Sequence, residues 1–160
     1  METKDIAELM ERVLTGDPWH GPSVQRILEG LSHEQASRRP LAGVHSVWEL
    51  VLHMTGWTHE VTARLGGRAA QEPEAGDWPE VGEPTPQKWQ AATAALFAAH
   101  RDLARAIRQV DAEALDRPVL DFRESALGTG LSHYLTLHGV IHHTVYHSGQ
   151  MAMVKRALGG

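Results

Sequence analysis

Apolar residues recur at helical spacing along most of the chain, and no segment shows the strict alternation typical of a β-strand. The clearest run follows Ser46 and Glu49, whose spacing is that of a capping box. From Val47 onward, apolar side chains return every three or four positions until the glycine pair at 66–67. The pattern predicts a long amphipathic helix between this cap and the two glycines.

Shorter helices are predicted in the N-terminal part. Thr3 is placed to cap a first helix that closes before Pro18, and Pro22 suits the first position of a second segment. These two segments could be one kinked helix or two separate ones. Ser32 and Gln35 also have capping-box spacing and predict one further short helix.

Two more long helices are predicted in the C-terminal half. One starts at Thr85 and Pro86 by cap and proline, and the other runs from about Leu131 to Leu158. Residues 66–86 are rich in Gly, Pro and acidic residues, which suggests a functional loop or a crossover between non-adjacent helices. Residues 116–120 could be extended. We predict an all-α fold, a four-helix bundle with long connections and crossover topology.

Composition limits the broad class of protein. The chain has 160 residues, which suits one domain over residues 1–160. Its 20 acidic residues outnumber 15 basic ones, and the net charge of −5 argues against a nucleic-acid partner. There is no cysteine, so thiolate ligands and a cysteine nucleophile are excluded. No membrane-length apolar stretch and no targeting pattern occurs, so we expect a cytoplasmic protein without membrane contact.

Histidine is the unusual component, with 11 in the chain and five between residues 133 and 147. Side chains four apart share a helix face, so His143 with His147, or His138 with His142, could bind one cation. Only the first pair falls on an otherwise apolar stripe, where a buried imidazole needs a partner. A metal ion is one such partner, and buried hydrogen bonds to other side chains are the alternative.

A third ligand must come from another helix. His53 lies at the edge of the apolar stripe that starts at Val47, whereas His59 lies away from it and is the weaker candidate. Three histidines leave one position open for water or substrate, as in reactive zinc sites, and nitrogen ligands also suit nickel, copper and ferrous iron. Glu49 and Gln150 are the candidates to orient the ligands, and no catalytic acid or base is identified.

The remaining histidines and tryptophans carry weaker signals. Four histidines are predicted at the surface or in loops, without a role: His20, His33, His45 and His100. Trp48, Trp57 and Trp89 have core-compatible spacing, whereas Trp19 and Trp78 occur in loop-like sequence and could line a pocket. No phosphate-binding loop, serine elbow or His-Glu-x-x-His element is present.

Two stretches resemble the DinB-like superfamily of four-helix-bundle metalloenzymes, which includes the YfiT type. They are residues 45–57, with one histidine on the second bundle helix, and residues 143–151, with His-x-x-x-His before a Gly-Gln step. The resemblance covers essentially the whole chain. It implies a metal triad of His53, His143 and His147, the same set that the periodicity favours. It implies neither polymerase activity nor DNA binding.

The resemblance also implies an activity. Characterised relatives use a divalent metal to activate a low-molecular-weight thiol for transfer to an electrophile, so we expect one zinc or nickel ion and a small-molecule substrate. Two alternatives remain: a metal-dependent hydrolase using metal-bound hydroxide, and a stress-linked protein that binds metal or a small ligand without turnover. Apolar residues from Pro22 to Leu31 could serve a homodimer, although a monomer could bury them equally well.

Overall fold

The computed structural model describes residues 3–122 and 130–159, and its secondary structure there is helical. The elements are α1 (Thr3–Thr15), α2 (Val24–Leu28), α3 (His33–Ser37), α4 (Val47–Leu65), α5 (Pro86–Gln109), a 3₁₀ turn (Ala112–Ala114) and α6 (His133–Ala157). The four long helices, α1, α4, α5 and α6, form the bundle and confirm the predicted all-α class.

Local capping explains where the helices begin. In α4 the Ser46 hydroxyl accepts a hydrogen bond from the Glu49 N–H, and the Glu49 carboxylate accepts one from the Ser46 N–H at 2.8 Å. The predicted box at Ser32 is present in the same form at the start of α3. Helix α5 begins with Thr85 as its cap and proline inside its first turn, as predicted. These capping hydrogen bonds therefore set element boundaries through contacts local in sequence.

The N-terminal segments form separate helices, and α2 is shorter than the apolar pattern suggests. Its apolar residues Val24, Ile27 and Leu28 are buried within this chain, because α2 packs against α1 and α6. The Lys155 ammonium donates to the carbonyl oxygens of Ile27 and Glu29 and ties this corner to α6. The face considered for a homodimer is therefore already covered.

The order of the helices in the bundle follows from which pairs are in contact. Helix α1 packs against α5 and α6, and α4 packs against the same two helices. The consecutive long helices α1 and α4 are therefore diagonal, and so are α5 and α6, which confirms the predicted crossover topology.

Helices α4 and α5 run in the same direction. Trp48 contacts Trp89 near the two helix starts, with ring centroids 5.1 Å apart, and Thr58 meets His100 further along both helices. The chain between parallel neighbours must return the length of the bundle, which explains the long connection over residues 66–85. This connection joins adjacent helices, so the interpretation of it as a crossover is wrong. The functional-loop interpretation remains.

The returning loop follows α4 back toward its N-terminus. The Gln71 N–H donates to the Glu60 carboxylate at 2.8 Å, and Pro73 packs against Gly56, where an added Cβ would lie 3.1 Å from it. Glu60 is fully buried and also binds Arg64 and Arg68. Two cations and one backbone donor compensate this buried carboxylate, and they fix the position of the loop relative to α4.

Two clusters of buried apolar residues fill the interior. One centres on Leu50, Met54 and Met151, and the other on Met10, Leu103 and neighbouring side chains of all four long helices. His100 lies between such residues with 1% of its surface exposed, so its assignment to the surface was wrong. No helix in the described residues is long and apolar enough to cross a membrane.

The segment before α6 is only partly extended. Pro118 and Ser132 form one isolated antiparallel bridge, and the Val119 N–H donates to the Leu131 carbonyl at 2.8 Å. The predicted mixed stretch also includes residues 123–129, which lie outside the described residues. The bridge closes the end of the bundle from which α6 starts.

Candidate metal centre

Three histidines from two helices meet between α4 and α6. His53 comes from α4, and His143 and His147 come from successive turns of α6. One ring nitrogen from each lies within 4.8 Å of one from each of the others. His53 and His147 are buried and His143 is half-buried, so the rings converge below the surface.

Hydrogen bonds fix the orientation of two of these rings. His53 Nδ1 lies 2.7 Å from the Asp77 carbonyl oxygen, and His147 Nδ1 lies 2.7 Å from Gln150 Oε1. Both oxygens are acceptors, so each Nδ1 carries the proton and donates it. The Nε2 atom of each neutral ring is then a bare lone pair, as a metal ligand requires.

The distance between two ring nitrogens tests whether the site suits a cation. His53 Nε2 lies 2.9 Å from His143 Nε2. With His53 Nδ1 already the donor, this contact is either an N–H···N bond from His143 or two lone pairs directed at a common ion. Three neutral nitrogen donors from two helices are a ligand set that a first-row divalent metal accepts, so the residues fit such an ion.

Burial keeps the three imidazoles in the form that binds metal. Removal from water lowers the pKa of His143 to about 3, helped by the neighbouring His147 and His53. Burial likewise lowers the pKa of His53 and of His147, although their acceptors Asp77 and Gln150 oppose the shift. Neutral rings at physiological pH need not release a proton before they coordinate.

The loop over residues 66–85 supplies an aromatic wall beside His53. The Trp78 indole stacks on the His53 ring with centroids 3.9 Å apart, and on the His45 ring at 3.6 Å. Both imidazoles are nearly parallel to the indole and too close to share one of its faces, so they lie on opposite faces. Asp77 is held in turn by the Trp57 indole N–H, 2.7 Å from its Oδ1.

The two residues considered for orienting the ligands lie in different places. Gln150 contacts His147 directly. Glu49 is bound by the Arg39 guanidinium and the Ser46 N–H, and Arg39 lowers the pKa of this carboxyl to about 2. One Glu49 oxygen lies 3.4 Å from His45 Nδ1, so Glu49 reaches the triad only through His45 and Trp78.

The other histidines are not brought to the triad. His59 and His142 are exposed, and His138 packs against Tyr134 with ring centroids 4.4 Å apart. His20 is exposed as predicted. Trp19 is fully exposed, at 102% of its reference surface, so of the two loop tryptophans only Trp78 reaches the site.

Two residues beside the triad, His45 and Asp77, were not predicted from the sequence. His45 precedes the Ser46 cap and carries no periodic signal. Asp77 lies in a loop without periodicity, and His53 Nδ1 meets its backbone carbonyl at 2.7 Å and its Oδ1 at 3.3 Å. The one local hint was an isolated tryptophan next to an aspartate in a loop otherwise poor in large apolar residues.

The chain matches a known protein family. The family model described as the DinB superfamily matches residues 20–151, which include the three histidines, the loop and most of α6. Searches of curated proteins and of solved structures returned no significant match.

Proposed function

This chain belongs to the DinB superfamily. From this membership and the histidine triad, we propose that it is a divalent-metal-dependent enzyme. Its activity is the transfer of a low-molecular-weight thiol to an electrophilic small molecule, with zinc or nickel held by His53, His143 and His147. The observation that carries the proposal is the 2.9 Å approach of His53 Nε2 and His143 Nε2, in a group of three buried or half-buried neutral imidazoles.

The donor set supports a reactive site more than a structural one. Three protein ligands leave a coordination position for an exogenous group, whereas structural zinc sites are closed by four. When bound, a divalent ion lowers the pKa of a coordinated thiol, so that the nucleophilic thiolate is present at neutral pH. The chain has no cysteine, so the thiol belongs to the substrate.

The chain's own residues hold the ligands rigid and exclude water on one side. Asp77 and Gln150 fix two ring orientations, and the Trp78 indole covers one face of His53. In the transfer, the thiol sulfur bonds to the electrophilic carbon. The thiol proton goes to solvent when a leaving group departs with its electron pair, or to the product when the reaction is an addition. No general base is required for a thiol that is already ionised.

A direct assay separates this proposal from its alternatives. Zinc- or nickel-loaded protein is incubated with glutathione and benzyl bromide, and thioether formation above the uncatalysed rate is measured by mass spectrometry. His147→Ala should lose this excess rate and His138→Ala should keep it. Metal retention without thioether, or cleavage of an ester panel instead, would contradict thiol transfer in favour of a binding protein or a hydrolase.

A further inference from the structure

A cleft opens between α4 and α6 on one side of the histidine triad. Its volume is about 180 Å³, and its walls include Trp57 and Val61 from α4 and Leu135, Gly139 and His143 from α6. The wall is mainly apolar, and one of the three triad histidines forms part of it. The cleft and the candidate metal centre are therefore contiguous.

The size and chemistry of the cleft define what it can hold. A dry apolar cavity of about 150 Å³ accommodates benzene, so a cleft of about 180 Å³ suits one ring-sized group. Among the described residues that line the cleft, only Arg64 carries a formal charge. Its Nε donates to the buried Glu60 carboxylate at 3.0 Å, so its charge is already compensated. The occupant need not be anionic.

We propose that this cleft binds an uncharged, apolar, ring-sized group of the electrophilic substrate. The inference rests on the proposed function, because His143 would place that group beside the metal-bound thiol. Low-molecular-weight thiols are polar molecules, so the apolar group belongs to the electrophile. An apolar ligand is stabilised in proportion to the apolar surface that it buries against such walls.

Gly139 gives a way to fill the cleft without disturbing the core. It lies four residues from both Leu135 and His143 in α6, so a side chain at this position projects between theirs. A Cβ built on Gly139 meets no atom within 4 Å. Leucine at this position should therefore occupy the cleft while improving the helix propensity of α6.

Gly149 provides the matched control. It lies in the same helix, is exposed, and has the same open space around an added Cβ, but it does not line the cleft. Gly149→Leu therefore adds the same side chain to the same helix in a different place. Any general effect of leucine on helix stability is then shared by the two variants.

The test is a titration of ¹⁵N-labelled, metal-free protein with benzyl alcohol, followed by amide chemical shifts. We expect saturable shifts centred on Val61, Leu135 and Gly139. Binding should be lost in Gly139→Leu and retained in Gly149→Leu. No saturation in the wild-type protein, shifts centred elsewhere, or unchanged affinity in Gly139→Leu would each overturn the proposal. Leu135→Gln, at a half-exposed position, is a second variant that should weaken binding if Gly139→Leu does not fold.

A kinetic measurement separates this inference from the proposed function. With metal-loaded protein, glutathione and benzyl bromide, Gly139→Leu should raise the KM for the bromide at least fivefold and leave the KM for glutathione unchanged. If benzyl alcohol binds but no thioether forms, the proposed thiol transfer is wrong and the cleft remains an apolar binding site. If thioether forms and the KM for benzyl bromide is the same in both leucine variants, the proposed role of the cleft is wrong and the proposed thiol transfer stands.

Discussion

The two nitrogens of an imidazole ring have different roles in His53 and His147. Each Nδ1 is held by an oxygen acceptor at 2.7 Å, and each Nε2 is left to bind. His138 lacks this arrangement, because its Nε2 is buried without a hydrogen-bond partner and its ring packs against Tyr134. The two His-x-x-x-His pairs of α6 therefore differ in what their rings meet, because only His143 and His147 converge with a third histidine.

The metal content of single variants checks this distinction. His53→Ala and His147→Ala each remove one of three nitrogen donors, so divalent-metal affinity should fall by well over tenfold. His138→Ala should bind about one equivalent of metal, the same amount that is expected for the wild-type protein. The measurement is elemental analysis after dialysis against a defined concentration of zinc. Equal retention of metal in all three variants would falsify the ligand assignment.

His100 shows what burial does to an imidazole with no role in the triad. Its Nδ1 donates to the Leu96 carbonyl at 2.9 Å, and its Nε2 faces the Thr144 and Thr58 hydroxyls at 3.3 and 3.5 Å. Burial lowers the pKa of His100 to about 4. In the unfolded chain this ring takes up a proton below about pH 6.5, whereas in the folded protein it stays neutral to lower pH.

The sign of the resulting pH dependence follows from that shift. The folded state loses stability as the pH falls from about 6.5 through 4, because the unfolded state binds the extra proton. His100→Phe should make the fall shallower by up to about 1.4 kcal/mol per pH unit in this window. Urea unfolding at a series of pH values measures this. The exposed His20→Phe serves as control, and an equal slope in both variants would contradict the argument.

At the scale of the element, the loop over residues 66–85 matters more than its lack of secondary structure suggests. The buried Glu60 with Arg64 and Arg68 holds one end of it, and the stack of Trp78 between His45 and His53 holds the other. Between these anchors the Asp77 carbonyl is brought to His53. The loop therefore contributes a backbone acceptor whose position depends on anchors at both of its ends.

Removing the indole should loosen this arrangement. Trp78→Ala takes away one wall of the His53 ring, and we expect metal affinity to fall about tenfold, a typical loss for residues that orient ligands. Competition with a chelating dye measures the change. Trp19→Ala is the matched control, because Trp19 also lies in a loop but is fully exposed. Equal affinities for the two variants would show that the stack does not position His53.

Features that depend on contacts between residues close in sequence could be predicted. The Ser32 and Ser46 boxes set helix starts through atoms three residues apart, and the apolar stripe of α6 singled out His143 and His147. His100 had a usable signal that was overlooked, since it continues the stripe of Leu96, Leu103 and Ile107. These features depend on local spacing and periodicity, which is why a single sequence is enough to find them.

Contacts between distant segments could not be predicted in this way. Trp78 stacks on His45, and the Asp77 carbonyl contacts His53, because α4 and α5 are parallel and the loop must return along α4. That direction is a property of the packed bundle, and no local pattern in residues 66–85 encodes it. The same holds for the cleft, whose two walls come from helices about 70 residues apart in the chain.

On the scale of the whole molecule, the interior does not depend on the triad. The two apolar clusters are built from residues of all four long helices. Burial of side chains such as Met54, Leu103 and Met151 supplies about 1.5–3 kcal/mol each relative to exposure. A bound ion would add to a fold that is already stable.

Chelation should therefore leave the helices in place while lowering the melting temperature. Protein treated with EDTA and dialysed should keep its far-ultraviolet circular dichroism, because the apolar clusters remain. Added zinc should then raise the free energy of unfolding by RT ln(1 + [Zn]/Kd), about 2.7 kcal/mol when zinc exceeds Kd a hundredfold, and the melting temperature should rise with it. His147→Ala should keep the dichroism and lose the zinc-dependent rise. Loss of helical signal on chelation would instead identify the centre as structural, because only an ion that holds α4 against α6 could unfold them by leaving.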